Sequence, residues 1–268
     1  MMHVRWGCGP AATRSPLRIL AVKLHEVEVS IPAPGGDIRA ILISPAEPPR
    51  PGNLPGLLLY TDIFQVTEST LRTARRLSAF GFVVCVPEIY PHGELAGKAL
   101  EFDDAGKRAG MAGAAATTTA QFDADRVAVL DFLESRTEVG ALFATGFCIG
   151  GHLAFRAAFD PRVAATVCFY PTGVHNGALG ADADAGSLAR AGDIQGRLMI
   201  VFGSQDPHVP ANARLQILTA LYGAGHEDVE LHIYAGGEHA FMRDVGPRHD
   251  PVLTDLAIQE AVSFFAAR

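Results

Sequence analysis

The hexapeptide Gly146-Phe147-Cys148-Ile149-Gly150-Gly151 follows directly on the apolar run Gly140 to Thr145 and sets a cysteine between glycines two positions to either side. A strand that ends in such a turn, with a helix starting at once behind it, is the layout of a nucleophile elbow, here carrying Cys148 where serine hydrolases carry Ser. The chemistry this offers is attack of a thiolate on an acyl carbon. The glycines meet a steric need, because the nucleophile must adopt a sparsely populated backbone conformation and a Cβ at 146 or 150 would collide in so sharp a turn. Gly151 to Ala158 reads as a helix. Its N-terminal partial charge favours a thiolate, and its first free amide, the Ile149 N–H, is the expected oxyanion donor. The competing reading of the pentapeptide is a buried structural cysteine in an incidental Gly-x-Cys-x-Gly.

A nucleophile at the end of one parallel strand needs a base and a group that orients the base, in chain order nucleophile, acid, histidine. After the apolar strand Leu198 to Phe202 comes Gly203-Ser-Gln-Asp-Pro-His-Val-Pro210, so Asp206 emerges just past a strand end. After Val229 to Tyr234 comes Ala235-Gly-Gly-Glu-His-Ala-Phe-Met-Arg243, so His239 does the same. His239 is expected to take the thiol proton and Asp206 to hold the His239 tautomer. Taken alone, Asp206 reads as a turn aspartate and His239 as a solvated loop histidine. Their joint occurrence with the elbow, in the required order, carries the catalytic reading. Among the ten histidines, His152 is four residues past Cys148 and can line the site, whereas His208 follows Asp206 too closely to be oriented by it easily.

The elements that must position these residues follow from hydrophobic patterning. Strands are predicted at about 24–31, 36–44, 56–61, 82–86, 141–145, 163–169, 197–203 and 228–234. Helical spacing is clear over Thr67 to Ala79, with Leu71, Ala74 and Leu77 on one face and Gly81 beyond the end, and over Phe122 to Glu134. The first two strands read as a hairpin through Pro32-Ala-Pro-Gly-Gly36, and the later segments as βα units. The predicted fold class is therefore α/β, a mostly parallel sheet with an antiparallel edge and helices on both faces. Residues 1–22 match no element and read as a flexible tail preceding a single domain over 23–268. Pro45 to Gly52 reads as a stiff connector, and the long Gly/Ala/Asp-rich stretch 173–192 as a site entrance.

Composition removes several function classes. The chain has 268 residues, 49% hydrophobic and 19% charged, which suits a packed domain. A net charge of −7 without basic blocks gives a nucleic-acid partner little footing. No apolar stretch reaches the roughly 18 residues of a membrane span, and none fits a secretory leader, so the expectation is a cytoplasmic enzyme with no membrane partner. Four cysteines at 8, 85, 148 and 168 form no Cys-x-x-Cys pair, and neither a dinucleotide fingerprint nor a Walker sequence is present; no metal and no cofactor are expected. Cys85 and Cys168 lie in apolar strand runs and Cys8 in a terminal stretch of mixed composition, which leaves Cys148 as the cysteine with glycines two positions to either side behind a strand.

The three motifs 146–151, 203–210 and 237–243, with Leu58 to Gln65 and Gly81 to Tyr90, closely resemble the dienelactone hydrolase family of α/β-hydrolases over most of residues 24–268. The resemblance implies a Cys148-His239-Asp206 triad, an acyl-enzyme, a monomer or loose homodimer, and hydrolysis of an enol-lactone to an open-chain acid. It also implies that the residue before Ile63, a glutamate in the family and Asp62 here, contacts the resting thiol and helps activate it. The Ile63 N–H would complete the oxyanion hole. The family holds its substrate carboxylate between two arginines. Arg243 matches one, while His92 stands near the position of the other and can donate a single hydrogen bond. With one charged clamp missing, the expectation is a related but different ester, lactone or thioester substrate, or a weaker preference for a carboxylate, with Arg243 the group that pairs with one. A general carboxylesterase or thioesterase, and a non-hydrolytic ligand-binding or redox thiol protein on the same fold, stand as alternatives.

Overall fold

The computed structural model describes residues 22–47 and 54–267. The expected tail falls outside these residues except for Val22, and so does most of the Pro-rich connector. Eight strands form one sheet: β1 (Leu24–Ile31), β2 (Ile38–Pro45), β3 (Leu54–Tyr60), β4 (Val83–Pro87), β5 (Val139–Phe147), β6 (Val163–Phe169), β7 (Arg197–Gly203) and β8 (Glu230–Tyr234). Their order is β1-β2-β4-β3-β5-β6-β7-β8. β1 pairs antiparallel with β2 and β2 antiparallel with β4, and every later pairing is parallel, as the hairpin followed by βα units predicts. The predicted strands match within a few residues, β5 running further in both directions.

Successive side chains of a strand point to opposite faces, so the central strands must be apolar throughout if both faces are covered. Leu58, Cys85, Cys168 and Ile200 face one layer, made by α3 (Thr119–Glu134), α4 (Ile149–Ala157) and α5 (Ala211–Gly223). Leu57, Leu59, Val84, Val167 and Val201 face the other, made by α1 (Glu68–Ala79) and α6 (Pro251–Ala266). Each fully buried leucine among them contributes about 1.5–3 kcal/mol relative to an exposed one. Among the described residues no helix is long and apolar enough to cross a membrane.

Local chemistry fixes the helix starts. Thr67 caps α1 by accepting from the Thr70 N–H, and Thr118 with Gln121 forms a reciprocal capping box at α3. α2 (Asp104–Ala116) has no counterpart in the helical spacing read from the sequence, since it is built largely from alanine and glycine and buries only Gly106 and Gly110. Its glycines are there for close approach: a Cβ on Gly110 would lie 2.3 Å from the Ile63 carbonyl oxygen. α2 therefore rests directly on the loop after β3, and this contact builds one wall of the cleft at the C-terminal ends of the parallel strands.

Candidate active site

Cys148 lies between β5 and α4 with φ 60° and ψ −122°, a conformation an L-residue adopts only when its surroundings enforce it. Both flanking glycines are compulsory. A Cβ on Gly146 would sit 2.1 Å from the Gly150 carbonyl oxygen, inside the turn, whereas one on Gly150 would sit 2.2 Å from the carbonyl oxygen of Thr61, where β3 ends. The elbow is thus seated against β3 as well as folded on itself. Gly150→Ala is expected to cost about 3 kcal/mol, since the collision is with backbone that cannot rotate away. Thermal unfolding of the two proteins measures it, and a Tm within a degree of the parent would contradict the packing described.

The two post-strand motifs converge on this turn. Asp206 follows β7 and is buried; its Oδ1 accepts from the His208 N–H at 2.7 Å and its Oδ2 accepts from His239 Nδ1 at 2.8 Å. That bond commits Nδ1 to Asp206 and leaves Nε2 as the other ring nitrogen. Burial by itself lowers the His239 pKa, but the charge of Cys148 and the hydrogen bonds that the ring donates to Asp206 and Cys148 outweigh it and bring the imidazole up to about 9. Burial pushes the Asp206 carboxyl up, while the His239 and His208 contacts prevail and leave it below the usual carboxylate range. Tyr170 and His208 hold the His239 ring edge-on, with centroids 5.1 and 4.5 Å away.

The two oxyanion candidates lie at the start of the helix behind Cys148 and in the loop after β3. Ile149 opens α4, and its N–H, like that of Ile63, finds no acceptor among the described residues. Ile63 lines a cleft of about 460 Å³ together with Phe64, Phe102, Lys107, Met111, Cys148, Thr172, His208, His239 and Arg243. Thr172 was not marked by any motif. Its N–H donates to the Cys148 carbonyl at 3.2 Å and its hydroxyl lies 3.9 Å from the Cys148 sulfur. No group of three His, Cys, Asp or Glu among the described residues is placed to hold a metal.

Other expected residues lie elsewhere. Asp62 does not present its carboxylate to the thiol: Oδ2 accepts from Arg243 Nε at 3.1 Å and Nη2 at 2.6 Å, and Oδ1 accepts from the Phe64 N–H at 3.0 Å. The short aspartate side chain is held at its own loop, and Arg243 comes to it. His92 is absent from the cleft lining; its Nε2 lies 3.0 Å from Asp125 on α3, and it borders a separate cavity of about 390 Å³. His152 is fully buried, with Nδ1 on the Thr172 carbonyl at 3.0 Å and Nε2 on the Ser187 hydroxyl at 2.7 Å. Burial, aided by Arg156, pulls its pKa down to about 3, so it is neutral and supports the Thr172 loop instead of lining the site. The stretch 173–192 is no entrance either. It buries Val174 and Leu179, and it fastens to the start of α3 through the Thr119 N–H to Asp182 at 2.7 Å. Segments 102–111 and 245–248 form the mouth.

Comparison with known proteins shows what the chain is similar to. The model of the dienelactone hydrolase family matches residues 38–268. A Saccharomyces cerevisiae protein named "Putative carboxymethylenebutenolidase" is 33% identical over 232 residues, covering 84% of this chain and 83% of that one. An Escherichia coli K12 protein of the same name is 26% identical over 268 residues, covering 97% and 94%. Among solved structures, a Klebsiella pneumoniae protein titled "Putative Dienelactone Hydrolase" superposes with a TM-score of 0.81 at 23% identity, covering 92% of this chain and all of that one. A family match running from the second strand to the last residue, on a sheet whose strand ends carry the elbow, makes this chain a member of the dienelactone hydrolase family and a carboxylic ester hydrolase.

Proposed function

We propose that the chain hydrolyses an ester or lactone through an acyl-enzyme on Cys148. The observation that carries this reading is the 2.8 Å bond from His239 to the buried Asp206, which aims the other imidazole nitrogen toward a cysteine held at φ 60° in the elbow. Once the proton has moved from Cys148 to His239, the thiolate charge and Asp206 hold it on the imidazole, so the transfer yields a favoured thiolate–imidazolium pair.

Each step then has a named group. His239 Nε2 accepts the Cys148 proton, and the sulfur attacks the carbonyl carbon, moving the C=O pair onto oxygen. The Ile149 and Ile63 N–H groups face that oxyanion. Collapse breaks the C–O bond, and the leaving oxygen takes the proton from His239; in a lactone it remains tethered to the acyl group. Water then gives a proton to His239 and attacks the thioester, and the second collapse returns the sulfur to the imidazolium and releases the acid. Asp206 stays ionised throughout and fixes the ring.

Rapid mixing with p-nitrophenyl acetate tests the covalent step. Nitrophenolate is expected in a burst approaching one per chain, with intact mass showing one acetyl group that maps to Cys148. Steady turnover with no acylated species, even in acid-quenched samples, would argue for direct attack by water. The redox-thiol alternative finds no support in a cysteine served by a base that itself has a buried orienting carboxylate.

A further inference from the structure

We propose that this cleft selects acyl groups that are neutral, carrying an ester, ether or hydroxyl oxygen near Arg243 rather than a carboxylate; the inference rests on Cys148 being the nucleophile. Arg243 is the one arginine beside Cys148 and His239 in the cleft that lies within the motif read as gripping a substrate carboxylate. Its charge is already used. Nε and Nη2 both donate to Asp62 Oδ2, and the two rings of Phe64 and Phe102 cover the guanidinium at 4.7 and 4.8 Å. The two N–H of Nη1 and the second N–H of Nη2 have no partner among the described residues.

A guanidinium paired in this way is electrically a neutral donor. An incoming carboxylate would compete with Asp62 for one cation and place two like charges side by side, in a pocket walled by aromatic rings where that repulsion is poorly screened. A neutral oxygen has no such penalty and can accept from Nη1 directly. Asp62 is not easily displaced, because Phe64 N–H holds its other oxygen and its side chain is about one-tenth exposed.

The remaining charges do not restore an anion site. Lys107 and Arg248 lie at the mouth with Asp103 and Asp104, which match them in number, and Arg248 faces Glu238 at 3.7 Å. His92, near the position of the second family arginine, is occupied with Asp125 in another cavity. The cleft lining is otherwise largely apolar, with Ile63, Phe64, Phe102, Met111 and Ala240. Asp62 is thereby a specificity-determining residue, acting through Arg243.

Three p-nitrophenyl esters of matched length test this: hexanoyl, methyl adipoyl and adipoyl with its free carboxylate. For the parent, kcat/KM for methyl adipoyl is expected to equal or exceed that for hexanoyl and to exceed that for the free acid at least tenfold. Asp62→Asn keeps an oxygen for the Phe64 N–H and removes the charge, and is expected to raise the free-acid to methyl-ester ratio at least tenfold. A parent that prefers the free acid, or a ratio unmoved in a folded Asp62→Asn, would overturn the proposal. The parent comparison requires no variant, so it stands even if Asp62→Asn fails to fold. Retention of hexanoyl turnover by Cys148→Ala would instead sink the nucleophile assignment while leaving the selectivity ratio readable.

Discussion

Cys148→Ala is expected to lower kcat on an activated ester by on the order of 10^6-fold, the scale seen when the nucleophile of a triad is removed. In the proposed mechanism the loss is that large because His239 and Asp206 act only through the sulfur: without it the imidazole has no thiol to deprotonate, and the oxyanion donors have no tetrahedral adduct to hold. The fold should be untouched. Alanine and cysteine meet the same backbone demand at φ 60°, and the turn is held by Gly146, Gly150 and the Thr172 N–H rather than by the sulfur. Steady-state rates with a circular-dichroism melt check both halves. A variant that keeps a tenth of the activity would place the chemistry elsewhere, and one that unfolds would show the sulfur to be structural.

The second large effect is expected at Asp206. Asp206→Asn keeps an oxygen for the His208 N–H but turns an amide toward His239, forcing the ring proton onto Nε2, the nitrogen that must be free to act as base. A fall in kcat of about 10^4-fold follows from the wrong tautomer alone. The same change has a signature in stability. The His239 pKa is raised in the folded chain to about 9. Its protonation therefore stabilises the fold fully below the unfolded value of about 6.5, and that contribution fades as pH rises through about 9. Removing the Asp206 charge lowers the folded pKa and narrows this window, so urea denaturation should show a larger cost of Asp206→Asn near pH 6 than near pH 9.5. Equal costs at the two pH values would mean that Asp206 acts on His239 only sterically.

Much of this was legible in the chain because strand patterning and glycine placement are local properties. The elbow needs Gly146 and Gly150, the sheet needs two-sided apolar runs, and Asp206 and His239 need only follow strands whose ends the topology brings together. What was not legible depended on where long side chains go after folding. Asp62 and Arg243 are separated by 181 positions, and no spacing announces that the carboxylate meets the guanidinium rather than the thiol. His92 likewise turned to Asp125, 33 positions away on α3. α2 escaped notice because close approach to Ile63 demands glycine and alanine, which erase the amphipathic pattern by which helices are read. The buried His152 supports the cleft residue Thr172, whose N–H in turn holds the Cys148 carbonyl, and no motif announces that chain of contacts.

The reactivity of the thiols separates Cys148 from Cys85 and Cys168 most directly. Burial holds both strand cysteines fully enclosed, with Cys85 pushed up to about 12 and Cys168 higher still, so neither offers an alkylating reagent a thiolate near neutral pH. Cys148 is half-buried, opens onto the cleft and lies next to His239. Limited treatment with iodoacetamide at pH 7, with labelled sites mapped by peptide mass and residual ester turnover measured on the same samples, is the decisive measurement. Turnover is expected to fall in one-to-one proportion to modification of Cys148, with Cys85 and Cys168 unlabelled. Full turnover in a protein quantitatively alkylated at Cys148 would contradict the account.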